Sequence, residues 1–238
     1  YFKKTQFKPH LSKMWCIPPK QNAEFVAKME DVLSVYAREY NPKRPVVCMD
    51  EKPFQLLGEM YQTIEMSQTN HVKKYDCEYE RKGACSIFMF TEPLGQWREA
   101  HALPHRTSED WAKQMKWLID EKYPDAEKIV LVMDNLNTHK VSSFYKVFSP
   151  KEAFRLSQRL EIHYTPKHGS WLDIAEIELS AMTIQALENR RIPDLDSLNN
   201  ILNAWSLKRN TKQKGVDWHF TADDARLKLK HLYPVVKI

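Results

Sequence analysis

Ile129-Val130-Leu131-Val132-Met133 is an unbroken apolar run that stops abruptly at Asp134-Asn135. A strand with one wet face alternates; a run without alternation reads as a strand covered on both faces. A second run, Val46-Val47-Cys48-Met49, stops in the same way at Asp50. Strands covered twice need helices on both sides of a sheet, so the chain is constrained to an α/β architecture. The remaining periodicity agrees. Apolar spacing predicts helices over 24–40, 107–123, 141–158 (broken near Pro150), 170–188 and 195–209, and strands over 54–60, 84–91, Trp97–Leu103 and Leu160–Tyr164. Thr107 or Ser108 is the expected cap of the second helix, with Glu109 and Asp110 in its first turn. The early strands form an antiparallel meander, and the later ones alternate with helices. Each Asp that ends an apolar run falls at a strand's carboxyl end, where open α/β sheets bind ligands.

Composition removes several function classes. The only glycines are Gly58, Gly83, Gly95, Gly169 and Gly215, and no two fit a phosphate-cradling loop or dinucleotide fingerprint. No apolar run is long enough to cross a bilayer and no signal peptide opens the chain. It begins at Tyr1 and reads as a fragment of a longer protein. Cys16, Cys48, Cys77 and Cys85 form no zinc pattern and read as reduced cytosolic thiols. No G-x-S-x-G elbow is present for a serine nucleophile.

Charge is unevenly placed. Residues 1–20 carry five lysines and no acid, and residues 205–238 carry eight bases against three acids. With a formal total of +5, the middle of the chain is acidic. Basic ends around an acidic centre suit a polyanionic partner together with a local need for carboxylates.

Glu176 is the third candidate acid. In His168-Gly169-Ser170-Trp171-Leu172-Asp173-Ile174-Ala175-Glu176-Ile177-Glu178, Ser170 opens a Ser-x-x-Asp capping pattern that accounts for Asp173 without chemistry. Glu176 and Glu178 lie about 200° apart on a helix, so they cannot serve one site. Glu176 lies on a narrow polar stripe with apolar shoulders, aimed at a cleft, and Glu178 is expected on a solvated side. Oxygen donors without a Cys or His cluster favour a hard cation, Mg²⁺ or Mn²⁺.

Val47-Cys48-Met49-Asp50-Glu51-Lys52-Pro53, Leu131-Val132-Met133-Asp134-Asn135-Leu136-Asn137-Thr138-His139 and Tyr164-Thr165-Pro166-Lys167-His168-Gly169-Ser170-Trp171-Leu172-Asp173-Ile174-Ala175-Glu176 together resemble a DDE transposase of bacterial insertion sequences, in the branch related to the mariner superfamily. The resemblance runs from about residue 8 to the end, through Val216-Asp217-Trp218. It implies a ribonuclease H-like domain, a mixed five-stranded sheet with helices on both faces. It implies Asp50, Asp134 and Glu176 as catalytic, metal-holding acids with two Mg²⁺ or Mn²⁺ ions. Position 173 is usually Asn in that family and is Asp here, which leaves open a part for Asp173 in holding metal. A helix-turn-helix region that reads inverted repeats would precede residue 1.

The implied activity is cleavage at transposon ends followed by transfer of the 3′-OH into target DNA, cut and paste, with TA as the family's target. The alternatives are a metal nuclease or integrase of the same fold without transposition, and a non-catalytic DNA-binding remnant. Residues 1–43 are expected as basic linker and helix, 44–212 as the catalytic domain and 213–238 as a basic extension. Lys3, Lys4, Lys13, Arg209 and Lys212 are candidate contacts to double-stranded DNA, as are Lys167 and His168, for which an ordinary exposed loop is the other reading. Asn135, Asn137 and His139 either orient the second acid or touch DNA, or serve only as turn and cap residues. Trp171 reads as a core side chain or a base-stacking one. The implied assembly is a homodimer or higher, in the bacterial cytoplasm at the nucleoid.

Overall fold

A computed structural model of the chain describes residues 17–235 apart from 63, 65, 70, 73, 75, 137, 213 and 214. The strands are β1 Val46–Glu59, β2 Tyr79–Glu92, β3 Trp97–Leu103, β4 Ile129–Met133 and β5 Leu160–Tyr164. They form one sheet of order β3-β2-β1-β4-β5. β1–β2 and β2–β3 pair antiparallel, whereas β1–β4 and β4–β5 pair parallel. The two apolar runs therefore lie side by side in the parallel half, and the mixed ribonuclease H-like sheet is present.

Alternation along the strands sends two sets of side chains to two cores. Cys48, Val130 and Val132 pack under α1 (Ala23–Tyr36), α5 (Ile174–Met182), α6 (Leu195–Lys212) and α7 (Ala222–Lys228). Val47, Met49, Ile129, Leu131 and Met133 pack under α2 (Ser108–Trp117), α3 (Phe144–Val147) and α4 (Pro150–Gln158). Every β4 side chain is buried, each worth roughly 1.5–3 kcal/mol of burial, which is why that run tolerates no polar residue. Thr107 caps α2 in a reciprocal capping box with Asp110, and the helix runs on through a π turn at Leu118–Lys122. Ala225 and Leu232 of the carboxyl-terminal segment join the first core, and the Asn22 N–H donates to the Leu232 carbonyl at 2.9 Å. No helix among the described residues is long and apolar enough to cross a membrane.

One strand differs from the sequence expectation. Residues 46–49 and 54–60 read as two extended pieces, yet β1 is continuous. β2 pairs along it from Cys48↔Thr91 to Glu59↔Tyr79, so one antiparallel ladder carries the backbone through Asp50 and Pro53. Pairing with β4 stops at Met49↔Met133. Beyond that point β1 has a neighbour on one side only, the kind of place where a strand accepts Pro53. Asp50 thus lies within β1, at the point where the parallel ladder ends, rather than at the carboxyl end of the strand.

Candidate active site

The end of the parallel ladder brings two acids together. Met49 and Met133 are the last paired residues of β1 and β4, so Asp50 and Asp134 come next on adjoining chains. Neighbouring strands run about 5 Å apart. Cys48, Val130 and Val132 face α1 and α5, and by the two-residue period Asp50 and Asp134 turn to that same face. Both line an open cleft of ≈ 490 Å³ shared with Asp173, Glu176, Lys167 and His168.

The third acid reaches the cleft through the turn after β5. The Gly169 N–H donates to the Pro166 carbonyl at 2.8 Å, and His168 adopts φ +66°. A Cβ on Gly169 would stand 2.4 Å from the Pro166 ring, so only glycine fits this close approach. Residues Ser170–Leu172 form a 3-10 turn and α5 begins at Ile174. The cap differs from the Ser-x-x-Asp expectation. Asp173 is itself the N-cap, accepting from the Ala175 N–H at 2.9 Å. The 3-10 turn places Ser170 before the helix, at the cleft with Glu176. Asp173 is buried, and its Oδ2 has no hydrogen-bond partner.

Three of these carboxyls are shifted by burial and by their acidic neighbours. Burial pushes Asp50 up to about 7; the Glu51 N–H, donating to its Oδ1 at 2.7 Å, opposes that, and the charges of Asp134 and Glu176 add to it. Burial raises Asp173 well above the usual carboxylate range, with the Asp50 charge next in weight. Burial raises Glu176 too; the Ser170 hydroxyl opposes this and the Asp134 charge adds to it. Among the described residues, no lysine or arginine ion pair reaches any of the four.

Glu178 corrects a second expectation. It is 1% exposed, not solvated: Arg209 Nε and Nη2 donate to it at 2.6 and 3.2 Å, and Arg98 Nε lies 3.4 Å away. Arg209, expected at a DNA surface, therefore spends its guanidinium on an internal carboxylate. His139 is also inside rather than on a DNA-facing surface. Its Nε2 lies 2.9 Å from Glu51 Oε1 and its Nδ1 2.8 Å from Asp134 Oδ1. Burial lowers its basicity, but the two acids beside it, Asp134 and Glu51, win and raise it to about 9. Glu51 was not singled out from sequence. Its signal is parity: adjacent to Asp50 on a strand, it must face the opposite side of the sheet.

The other candidates divide simply. Asn135, Lys167 and His168 are exposed at the cleft. Lys212 is exposed and lines an open groove of ≈ 730 Å³ with Arg190 and Lys208. Trp171 packs edge-on against Phe220 with ring centroids 5.8 Å apart, a core arrangement. Lys3, Lys4, Lys13 and Asn137 lie outside the described residues.

A hard divalent cation fits the donor chemistry. The cleft offers carboxylate oxygens from Asp50, Asp134 and Glu176, its burial raises Asp50, and it leaves a buried Asp173 oxygen without a partner. Among the described residues, the side chains do not by themselves converge as a group of three or more metal-holding ligands.

Comparison with known proteins gives a family and a fold. Residues 45–199 match the family described as DDE superfamily endonuclease. The catalytic domain of the Mos1 mariner transposase superposes with TM-score 0.51 at 14% identity, covering 80% of this chain and 85% of that one. The Mos1 strand transfer complex gives TM-score 0.56 at 15% identity, covering 87% and 59%. The Mos1 paired end complex with Mn gives 0.52 at 14%, covering 87% and 60%. The chain thus spans about 60% of the length of the Mos1 chains in those complexes. No curated protein matches the sequence.

Proposed function

The chain belongs to the DDE superfamily endonucleases, and from that premise we propose that it is a transposase catalytic domain that cuts DNA at transposon ends and joins the freed 3′-OH to target DNA. The observation that carries this reading is the register that sets Asp50 beside Asp134 in one cleft with Glu176. Asp50, Asp134 and Glu176 would hold two divalent cations, Mg²⁺ or Mn²⁺. Bound there, the cations would supply the positive charge that lets phosphate approach carboxylates and would acidify an attacking water.

The chain's own residues do the positioning. Asp50 is fixed by a strand hydrogen-bonded along its length to β2. Glu176 is fixed by the first turn of α5, with Ser170 beside it at the cleft. Lys167 and His168, on the exposed turn at the cleft, are in this reading the side chains that would meet a DNA phosphate. Catalysis of this kind is mainly positioning and charge stabilisation, and no covalent protein–DNA bond is required. The implied partners are double-stranded transposon ends and a target at TA, bound by a homodimer or larger assembly in the bacterial cytoplasm. Residues 44–212 carry the catalytic acids in this reading, with a basic linker and helix before them (1–43) and a basic extension after them (213–238), parts of which, α1, Ala225 and Leu232, close the first core. The Mos1 strand transfer and Mn complexes support it by likeness of fold.

The test is a cleavage and strand-joining assay on labelled duplex ends with Mg²⁺ or Mn²⁺, using the full-length chain. Loss of both products in Asp50→Asn, Asp134→Asn and Glu176→Gln is expected. Near-wild-type activity in any one removes that residue from the set, and cleavage without joining reduces the function to a nuclease.

A further inference from the structure

Asp50 and Asp134 are held very differently. Asp50 sits inside β1, with the backbone on both sides of it tied to β2. Asp134 lies one residue past the end of β4, its side chain is 38% exposed, and no ladder continues beyond it. Something else has to fix the orientation of its carboxylate.

The structure supplies it from the other side of the sheet. Because side chains alternate, Glu51 turns away from the cleft that Asp50 faces, into the core under α2 and α3. Its side chain is 2% exposed and meets His139, which is 1% exposed. The imidazole Nε2 hydrogen-bonds to Glu51 Oε1 at 2.9 Å, while Nδ1 lies 3.4 Å from the Asp134 carbonyl and 2.8 Å from Asp134 Oδ1, a close charge contact off the hydrogen-bonding axis. The ring is itself held: it stacks on Trp111 with centroids 6.0 Å apart at 28°. Its backbone is tied as well, since the His139 N–H donates to the Leu136 carbonyl at 3.1 Å and the Tyr164 hydroxyl donates to the His139 carbonyl at 2.9 Å. A ring so confined cannot swing out to solvent, and burying a carboxylate with it has a cost that only a hydrogen-bonded arrangement offsets.

We infer that Glu51 and His139 form a buried brace that sets the orientation of the Asp134 carboxylate, making both of them positioning residues for the cleft. The inference rests on the reading that Asp134 is a metal-holding acid. Partners of this outer kind typically alter metal affinity ~10–100-fold.

Isosteric replacements separate the two contacts. The amide nitrogen of Asn falls where His Nδ1 does, and that of Gln where Nε2 does. His139→Asn therefore keeps a polar nitrogen beside Asp134, while His139→Gln keeps only the reach towards Glu51. Mn²⁺ binding to the intact chain, followed by the electron paramagnetic resonance of free Mn²⁺, is the readout, with thermal melting alongside. We expect His139→Gln to weaken Mn²⁺ binding ~10–100-fold and His139→Asn to recover most of that loss, although both remove the buried ring and melt lower. Equal losses of affinity in the two variants, or wild-type affinity in His139→Gln, overturn the brace. Wild-type Mn²⁺ binding that Asp50→Asn leaves untouched overturns the metal reading of the cleft itself, and the brace with it.

Discussion

Glu176 and Glu178 stand two residues apart on one helix and live in opposite electrostatic worlds. Glu178 is buried against the guanidiniums of Arg209 and Arg98. Glu176 faces a cleft shared with Asp50, Asp134 and Asp173; among the described residues no lysine or arginine pairs with any of them, and only His139, beside Asp134, brings an internal charge near. Where the chain supplies its own positive charge, the buried acid is structural. Where it does not, burial leaves Asp50 and Glu176 raised above their ordinary range, a setting that suits a positive charge brought from outside. The two sites serve as controls for each other.

The largest expected effect breaks the structural side. Glu178→Ala leaves two guanidiniums without their carboxylate, one of them fully buried, and should lower stability by ~3–5 kcal/mol in urea denaturation. Glu176→Gln should leave stability unchanged or higher, because it relieves repulsion. Equal destabilisation by the two would erase the contrast.

The activity side reverses the order. Glu176→Gln should reduce metal-dependent cleavage by roughly 10²–10³-fold, the scale of losing one well-placed electrostatic group. A conservative change that keeps the internal pair, Arg209→Lys, should affect cleavage far less. Comparable losses in the two variants would mean that the buried cluster also serves the chemistry.

Asp173 sharpens the boundary between the two classes. Asn caps helices as well as Asp does, so Asp173→Asn should keep the fold and keep cleavage within a few-fold of wild type. Loss of cleavage in that variant would make Asp173 a fourth working acid.

The smallest effect is on pH. Asp50 is raised to about 7 in the folded chain from an ordinary value near 4. The native state then holds a proton that the unfolded state has released, so stability without metal falls as pH rises through that window. His139, raised to about 9, contributes stability that is complete below its ordinary value and is lost as pH rises through 9, which is the same direction. Glu161, lowered to about 2 by its arginine partners against the opposing effect of burial, titrates below this range. Melting of metal-free protein should therefore be higher at pH 5 than at pH 8, with the gap narrowed by Mn²⁺. A melting temperature that climbs from pH 5 to pH 8 contradicts the pattern.

Much of this was readable along the chain. The runs ending at Asp50 and Asp134 announce buried parallel strands, because burial on both faces excludes polar residues for the whole strand. Helical geometry separates Glu176 from Glu178, since two residues subtend about 200° whatever the surroundings. What the sequence could not supply is the environment on each side. Glu178 was expected to be solvated because Arg98, on β3, and Arg209, on α6, are remote from it in sequence. Ser170 looked like a cap because the pattern is local, but the turn at Gly169 shifts the helix start to Asp173.

Periodicity and residue type determined the sheet with two covered faces, the three candidate acids and their separate elements, because these depend on neighbours within a few positions. Only the tertiary structure decided that β1 runs unbroken through Asp50, that Arg209 turns inward, and that Glu51 reaches Asp134 through His139. Each depends on a partner 30 or more positions away, Arg209 on Glu178 and His139 on Glu51 among them. A charge's fate on burial is set by whichever groups the fold brings within a few ångströms of it.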